Sequence, residues 1–396
     1  MKQIGVGTFR TTERMRELVN QVLDSGRISY GPMSRAFEQQ FAALHDSRYA
    51  VLSNSGTSSL QVALQTLKEL HGWADGDEVI VPSLTFVATV NVVLHCRLTP
   101  VLVDVEPGYY GIDARQIEAS ITPRTRAILP VHLFGMPCDM KAVQALAAQH
   151  SLAVIEDSCE CMFVSHHGRA AGSWGDVGCF STYVAHLLTT GVGGIATTND
   201  PEIAAVMRSL VNHGRDGIYI AIDDDAGKSG AELREVISKR FRFERIGHSF
   251  RITELEAALG LAQLETWQEM IAQRRANAMA LCHALNPVSD LLQLPQVRPH
   301  TGHAFMMLPL VIRHAPKDAL CAYLEERGIE TREMLPLTNQ PAYADWCDPS
   351  HYPVADWVNR SGFYVASHQD LTASDITYMA EVITEGVNSL VMRKAA

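Results

Sequence analysis

Residues 126–158, RAILPVHLFGMPCDMKAVQALAAQHSLAVIEDS, hold the fold in miniature. An apolar run of strand length, RAILPVHLFG, gives way to a helical pattern, MKAVQALAAQH, and then to a second apolar run, LAVIEDS, that ends on acids. Strand, helix and strand in that order make a crossover unit whose two strands run parallel. The same alternation extends upstream: YAVLSNS then SSLQVALQTLKEL, DEVIVPS then TFVATVNVVLHC, and TPVLVDV then ARQIEASI. It predicts an α/β fold, a mostly parallel sheet covered by helices on both faces, with ligands gathering beyond the carboxyl ends of the strands.

Around residues 200–250 the texture becomes Arg-rich, and RITELEAALGLAQLETWQEMIAQRRANAMALCHAL (251–285) then reads as one long helix. Leu255, Leu259, Ala262 and Trp267 recur near its period. That helix would bridge to a smaller C-terminal unit with a strand in AFMMLPLVI, a helix in APKDALCAYLEERG closed by Gly328, and a last helix from about residue 373. The expected division is a large domain over 1–265, then the bridging helix and a small α/β domain over 266–396. IDDDAGKSGAE at 222–232 is the expected mobile loop.

Of the 396 residues 47% are apolar and 19% charged, the balance of a soluble globular enzyme. A net charge of −11 argues against nucleic-acid binding through an overall basic field. No uncharged apolar run reaches the roughly 18 residues of a membrane span, and the start lacks a signal-peptide core, so a cytoplasmic protein is expected. The eight cysteines are scattered, which makes a disulfide framework improbable. Cys159 and Cys161 have no further cysteine at short spacing, and they read as buried thiols rather than as a metal centre.

Three motifs sit at predicted strand ends. NSGTSSL (54–60) follows a strand and opens a helix, where backbone N–H groups and hydroxyls suit a phosphate; a glycine turn with a serine N-cap is the simpler alternative. AVIEDSCECM (153–162) puts Asp157 at the end of an apolar strand, where a carboxylate needs a partner. A protonated pyridine nitrogen is one, and an Arg or a helix N-terminus is another. FSTYVAHLLTTGVGG (180–194) adds Ser181 and a glycine-rich close, with His186 at its centre.

Together these motifs resemble the DegT/DnrJ/EryC/StrS sugar aminotransferases, which are fold-type I pyridoxal-phosphate enzymes. DEVIVPSLTFVAT, TPVLVDV, VHLFGMPCDM, VNHGRDG and FRITELEAALGLAQLE extend the resemblance over most of the chain. It implies that Gly56, Thr57 and Ser181 hold the cofactor phosphate, that Phe86 stacks on the ring, and that Asp157 pairs with the ring nitrogen. It also implies a homodimer with shared active sites, a nucleotide-linked sugar substrate, and glutamate as amine donor.

Two departures point one way. His186 occupies the position of the family's Schiff-base lysine, and an imidazole cannot form that imine. Glu160, three residues after the aspartate, stands where aminotransferases carry Gln or His. Both changes resemble the sugar 3-dehydratase subgroup, as does FYVASHQDL (363–371). The resemblance implies pyridoxamine phosphate held without a covalent bond. It further implies that His186 acts as base and then acid on a nucleotide-linked 4-keto-6-deoxyhexose, with loss of the carbon-3 hydroxyl. The cluster-binding cysteine spacing of one dehydratase branch is missing. An aminotransferase lacking its lysine and a catalytically silent homologue are the alternatives.

Further departures concern the substrate. The subgroup's Gly-x-Asn-x-Arg segment, whose Asn reaches the partner subunit's phosphate, reads GHSFR here and places Ser249 in that role. KRFRFERIGHSFR (239–251), taken as a strand, would bury Phe241 and Phe243 and present Arg240 and Arg242 on one face. With Arg215 these would grip a nucleotide diphosphate. A solvated basic edge strand is the alternative.

Overall fold

In the computed structural model, which describes residues 3–215, 225–313, 317–335 and 337–395, seven strands form the main sheet. They are β1 (Tyr49–Ser53), β2 (Glu78–Pro82), β3 (Thr99–Val103), β4 (Thr125–Ile128), β5 (Ala153–Asp157), β6 (Val177–Ser181) and β7 (Gly194–Thr198), in the order β1-β7-β6-β5-β4-β2-β3. β2 pairs in parallel with β3 and β4, β4 with β5, and β5 with β6, whereas β7 is antiparallel to both of its neighbours. Six strands therefore point one way. The crossovers read from sequence account for this: α3 (Gly56–His71), α4 (Val87–His95) and α5 (Met140–His150) each return the chain to the same edge. α1 (Glu13–Ser25) and α2 (Pro32–Leu44) precede β1, and α6 (Pro201–Val211) follows β7. The strands are buried on both faces, as the continuous Val/Ile runs require; Val79, Ile80 and Val81 are fully buried.

The carboxyl edge positions the site. Ser53, Pro82, Asp157 and Ser181 end their strands there, and Gly194 begins the reversed strand β7 at the same edge. α3 packs down onto this edge through two close approaches. A Cβ on Gly56 would lie 2.7 Å from Cys159 Sγ and from Ser181 Cβ, and one on Gly194 would run into the Ser55 backbone. Both positions need glycine for space.

Beyond β7 the chain departs from expectation in several places. The 251–285 helix is two helices, α8 (Glu254–Leu264) and α9 (Trp267–Leu285), with Glu265 and Thr266 between them. α8 buries Ala257, Ala258, Leu261 and Leu264 rather than the Leu255/Leu259 stripe, which lies half-buried. The 239–251 strand does not form. α7 (Gly230–Lys239) runs to Lys239, and Arg240 and Phe241 make the turn that leaves it. Phe241 and Phe243 are exposed. They flank the Arg215 guanidinium at 5.3 and 5.2 Å from its centre, so cation–π contact replaces burial. Of the expected 222–232 loop, residues 222–224 lie outside the described residues, and 230–232 open α7.

A second sheet, in the order β8-β9-β11-β10, is antiparallel throughout: β8 (Leu292–Gln293), β9 (Leu308–Ile312), β10 (Arg332–Glu333) and β11 (Gly362–Val365). β9 begins at Leu308, and Met306 and Met307 just before it line a cavity at the carboxyl edge of the main sheet. α10 (Lys317–Glu325), α11 (Pro353–Ser361) and α12 (Ala373–Ala395) complete the chain, with Gly328 at φ +76 after α10. The N-terminus joins this part of the molecule: Ile4 N–H donates to Gly328 O at 2.8 Å, and Ile4 belongs to its apolar core.

Candidate active site

A cavity of about 400 Å³ opens at the carboxyl edge of the main sheet, and Gly56, Thr57, Phe86, Asp157, Glu160, Ser181 and His186 all line it. Seven residues scattered over 131 positions of sequence thus meet in one place.

The N-terminus of α3 forms one wall. Its N-cap is Ser55, whose hydroxyl accepts from Ser58 N–H at 3.0 Å. The serine-cap alternative is therefore real, and the helix still presents its first N–H groups and Thr57 to the cavity.

Asp157 is 5% exposed. One carboxylate oxygen accepts from Thr89 Oγ1 at 2.9 Å and the other from Cys159 N–H at 3.2 Å. Thr89 pairs in turn with Thr85 at 2.8 Å, so Thr89 of α4, backed by Thr85 just before the helix, orients the carboxylate. No cation lies within ion-pair distance among the described residues, and burial pushes the Asp157 pKa above its ordinary value despite those hydrogen bonds. The site lacks a positive partner for this group.

Glu160 sits on the turn after β5. Its Oε2 accepts from Phe134 N–H at 2.7 Å, with Phe134 in the left-handed region at φ +58. Burial raises the Glu160 pKa to about 7, which that hydrogen bond opposes and the Asp157 charge reinforces. The Phe134 loop is itself held from behind. His132 Nδ1 accepts from Cys138 N–H at 3.1 Å, which puts the ring proton on Nε2, 2.9 Å from Glu156.

His186 lies on the loop between β6 and β7. Thr182 and Thr190 close the loop with a 2.6 Å hydroxyl pair, and Gln263 of α8 grips Thr189 through both its N–H and its carbonyl. Burial lowers the imidazole pKa to about 4, with a hydrogen bond to the Ser181 backbone opposing the shift. The ring is neutral at pH 7 and able to accept a proton. None of the seven lysines lines the cavity among the described residues.

The remaining expected site residues lie elsewhere. Ser249 is exposed and bonded to Arg251 at 3.2 Å. Arg240 pairs with Asp225, Arg242 with Glu244 at 3.1 Å, and Arg215 reaches the Arg240 carbonyl. The three arginines do not share a strand face, because the strand is absent. Conversely, Tyr183, Met306, Met307, Leu335 and Tyr364 line the cavity unanticipated. Met306 to Tyr364 come from the second sheet and its approaches, and no local pattern announces that contact. The Thr85/Thr89 spacing at the start of a helix is a readable signal for the Asp157 partner.

A mostly parallel sheet with a buried carboxylate in a cavity at its carboxyl edge agrees with the fold-type I pyridoxal-phosphate class that the resemblance implies. The comparisons give the particular family. Residues 10–384 match the model of the DegT/DnrJ/EryC1/StrS aminotransferase family, and the chain belongs to that family. It is 34% identical over 381 residues to GDP-perosamine synthase of Caulobacter vibrioides, covering 95% of this chain and 96% of the relative. It is 32% identical to dTDP-4-dehydro-2,6-dideoxy-D-glucose 3-dehydratase of Saccharopolyspora spinosa, over 91% of this chain and 81% of that one. In fold it is similar to the E. coli GDP-4-keto-6-deoxy-D-mannose 3-dehydratase solved with hydrated PLP: TM-score 0.87 at 24% identity, covering 97% and 100% of the two chains.

The family is pyridoxal-phosphate-dependent, and the residues present fit the group. Asp157 is a buried carboxylate in need of a cation, the Gly56 cradle has no room for a Cβ, and the Phe86 ring is 57% exposed at the cavity.

Proposed function

We propose that the chain is a pyridoxamine-phosphate-dependent dehydratase that removes the carbon-3 hydroxyl of a nucleotide-linked 4-keto-6-deoxyhexose. The observation that carries this reading is that His186, to which the resemblance gives the position of the family's lysine, lines the cavity. An imidazole forms no imine with an aldehyde, yet it moves protons near neutral pH.

When bound, pyridoxamine phosphate supplies a primary amine for the sugar ketone and a ring that withdraws electrons. The chain's own residues do the rest. Asp157, steadied by Thr89, holds the ring-nitrogen proton; Gly56, Thr57, Ser181 and the α3 N-terminus receive the phosphate; Phe86 covers the ring. His186 takes a proton and returns one to the departing hydroxyl. Glu160, with a pKa of about 7, keeps a large protonated fraction at neutral pH and offers a hydrogen-bond donor inside the cavity.

The same reading assigns residues 1–265 to the cofactor-binding domain and 266–396 to the bridging helix and small domain. It places the protein in the cytoplasm as a homodimer in which Ser249 serves the partner's cavity, with glutamate restoring the cofactor amine. Arg215, Arg240 and Arg242 meet the nucleotide diphosphate, for which Arg240 and Arg242 exchange Asp225 and Glu244. No helix among the described residues is long and apolar enough to cross a membrane.

The resemblance to GDP-perosamine synthase favours a second reading, amine transfer without a lysine. Turnover with ¹⁵N-labelled glutamate separates the two. Dehydration releases the label as ammonia when the product hydrolyses to a ketone. Transfer leaves it on the sugar.

A further inference from the structure

Most polar groups that line the active-site cavity come from one side. Thr57, Thr85, Asp157, Glu160, Ser181 and His186 all belong to the main sheet and its connections, whereas the second sheet and its approaches contribute Met306, Met307, Leu335 and Tyr364. Of these four side chains only Tyr364 carries a hydrogen-bond donor, and a thioether is a weak acceptor.

The backbone behind the two methionines is engaged elsewhere. Arg274 of α9, 4% exposed and with Asp370 supplying counter-charge, donates to Met306 O at 3.0 Å and to Phe305 O at 3.5 Å. Ala304 N–H donates to Gly135 O at 2.7 Å, and Phe305 N–H to His303 Nδ1 at 2.9 Å. Gly135, at φ +98, lets the two segments close, since a Cβ there would stand 2.9 Å from the Phe305 and Met306 nitrogens. The turn that carries Gly135 also holds Glu160 through Phe134 N–H. Wall and acid are thus seated on one turn, and Met306 and Met307, only 2% and 5% exposed, are held in place.

A hexose has few groups that suit such a wall. In the substrate of the proposed function the carbon-4 ketone goes to the cofactor amine and the carbon-3 hydroxyl to His186, both on the polar side. The methyl at carbon 6 is the substituent that needs no hydrogen-bond partner. A hydroxymethyl in its place would bury an unmatched hydroxyl.

We propose that Met306 and Met307 receive the carbon-6 methyl and make the site select 6-deoxy sugars over their 6-hydroxy counterparts. The inference rests on the proposed function for the orientation of the sugar.

The test is calorimetric titration of two unreactive sugar pairs into the full-length protein loaded with pyridoxamine phosphate: GDP-linked mannose and 6-deoxymannose, and dTDP-linked glucose and 6-deoxyglucose. The members of a pair differ by one oxygen and none carries a ketone, so binding is read without turnover. In the pair that binds, the 6-deoxy member should be about tenfold or more tighter, and Met306→Gln and Met307→Gln should each cut that preference to about threefold or less. Should one variant fail to fold, the other decides. Equal affinity within each pair, saturable binding of neither pair, or a preference that survives either substitution in folded protein overturns the proposal. The mass of the sugar after turnover judges the reaction separately. A retained preference without dehydration strikes the reaction alone, and dehydration with equal affinities strikes this wall alone.

Discussion

At neutral pH the two proton-handling groups of the cavity stand away from their usual states, because burial disfavours charge on both. His186, lowered to about 4, is neutral, and Glu160, raised to about 7, is partly protonated. A reaction that uses both in these forms declines as pH rises through about 7, and Glu160→Gln should remove that decline from the kcat profile. The linkage to stability has the opposite sign for the two. Glu160 binds its proton more tightly folded than unfolded, so its contribution is full below pH 4.5 and lost above about 7. His186 binds its proton more weakly folded, so its contribution is full above 6.5 and lost as pH falls to about 4. Between pH 5 and 6.5 the two contributions oppose each other, so thermal unfolding of the cofactor-free protein should show Glu160→Gln gaining stability relative to the parent as pH rises from 5 to 8. His186→Asn should lower turnover by about 10²–10⁴-fold while leaving cofactor affinity nearly unchanged in an absorbance titration. A large loss of cofactor binding instead would give His186 a holding role.

Secondary-structure elements carry the site through a few contacts that tolerate little change. Gly56→Ala drives a methyl into Cys159 and Ser181 at the α3 N-terminus and should destabilise by about 1–3 kcal/mol, with weaker cofactor binding seen in the same melt. Glu254, 1% exposed on α8, accepts from the Gly31, Met33 and Ser34 N–H groups and the Ser34 hydroxyl at 2.5–2.9 Å, satisfying the start of α2. Glu254→Ala strands those donors and should cost on the order of 3 kcal/mol in chemical denaturation. This is also the scale at which sequence reading succeeds and fails. The crossover rhythm is local, since each strand and helix declares itself within a dozen residues, and so are the motifs that carry Gly56, Asp157 and Ser181, whose roles come from the family resemblance. The 239–251 segment misled because its alternation of Arg and Phe fits a strand equally well. Cation–π stacking on Arg215 and an ion pair between Arg240 and Asp225 resolve it otherwise. Neither partner lies in the segment.

On the scale of the whole molecule, the cavity needs the second sheet. Tyr364 on β11 and Met306 and Met307 before β9 close a site whose chemistry comes from the main sheet. Such a wall brings together residues 120 or more positions apart in the sequence, as His186 and Met306 are, and leaves no periodic trace there. The family pattern reached the residues that line the main-sheet side of the cavity but not this wall. The central claim is that a histidine in the lysine's place redirects the site from adding nitrogen to removing oxygen. The measurement that tests it most directly is the mass of the sugar recovered after turnover of a nucleotide-linked 4-keto-6-deoxyhexose with pyridoxamine phosphate and glutamate. A product lighter by one oxygen atom, with its ketone intact, is the predicted result. A product that keeps the carbon-3 oxygen and carries an amine in place of the ketone would contradict it.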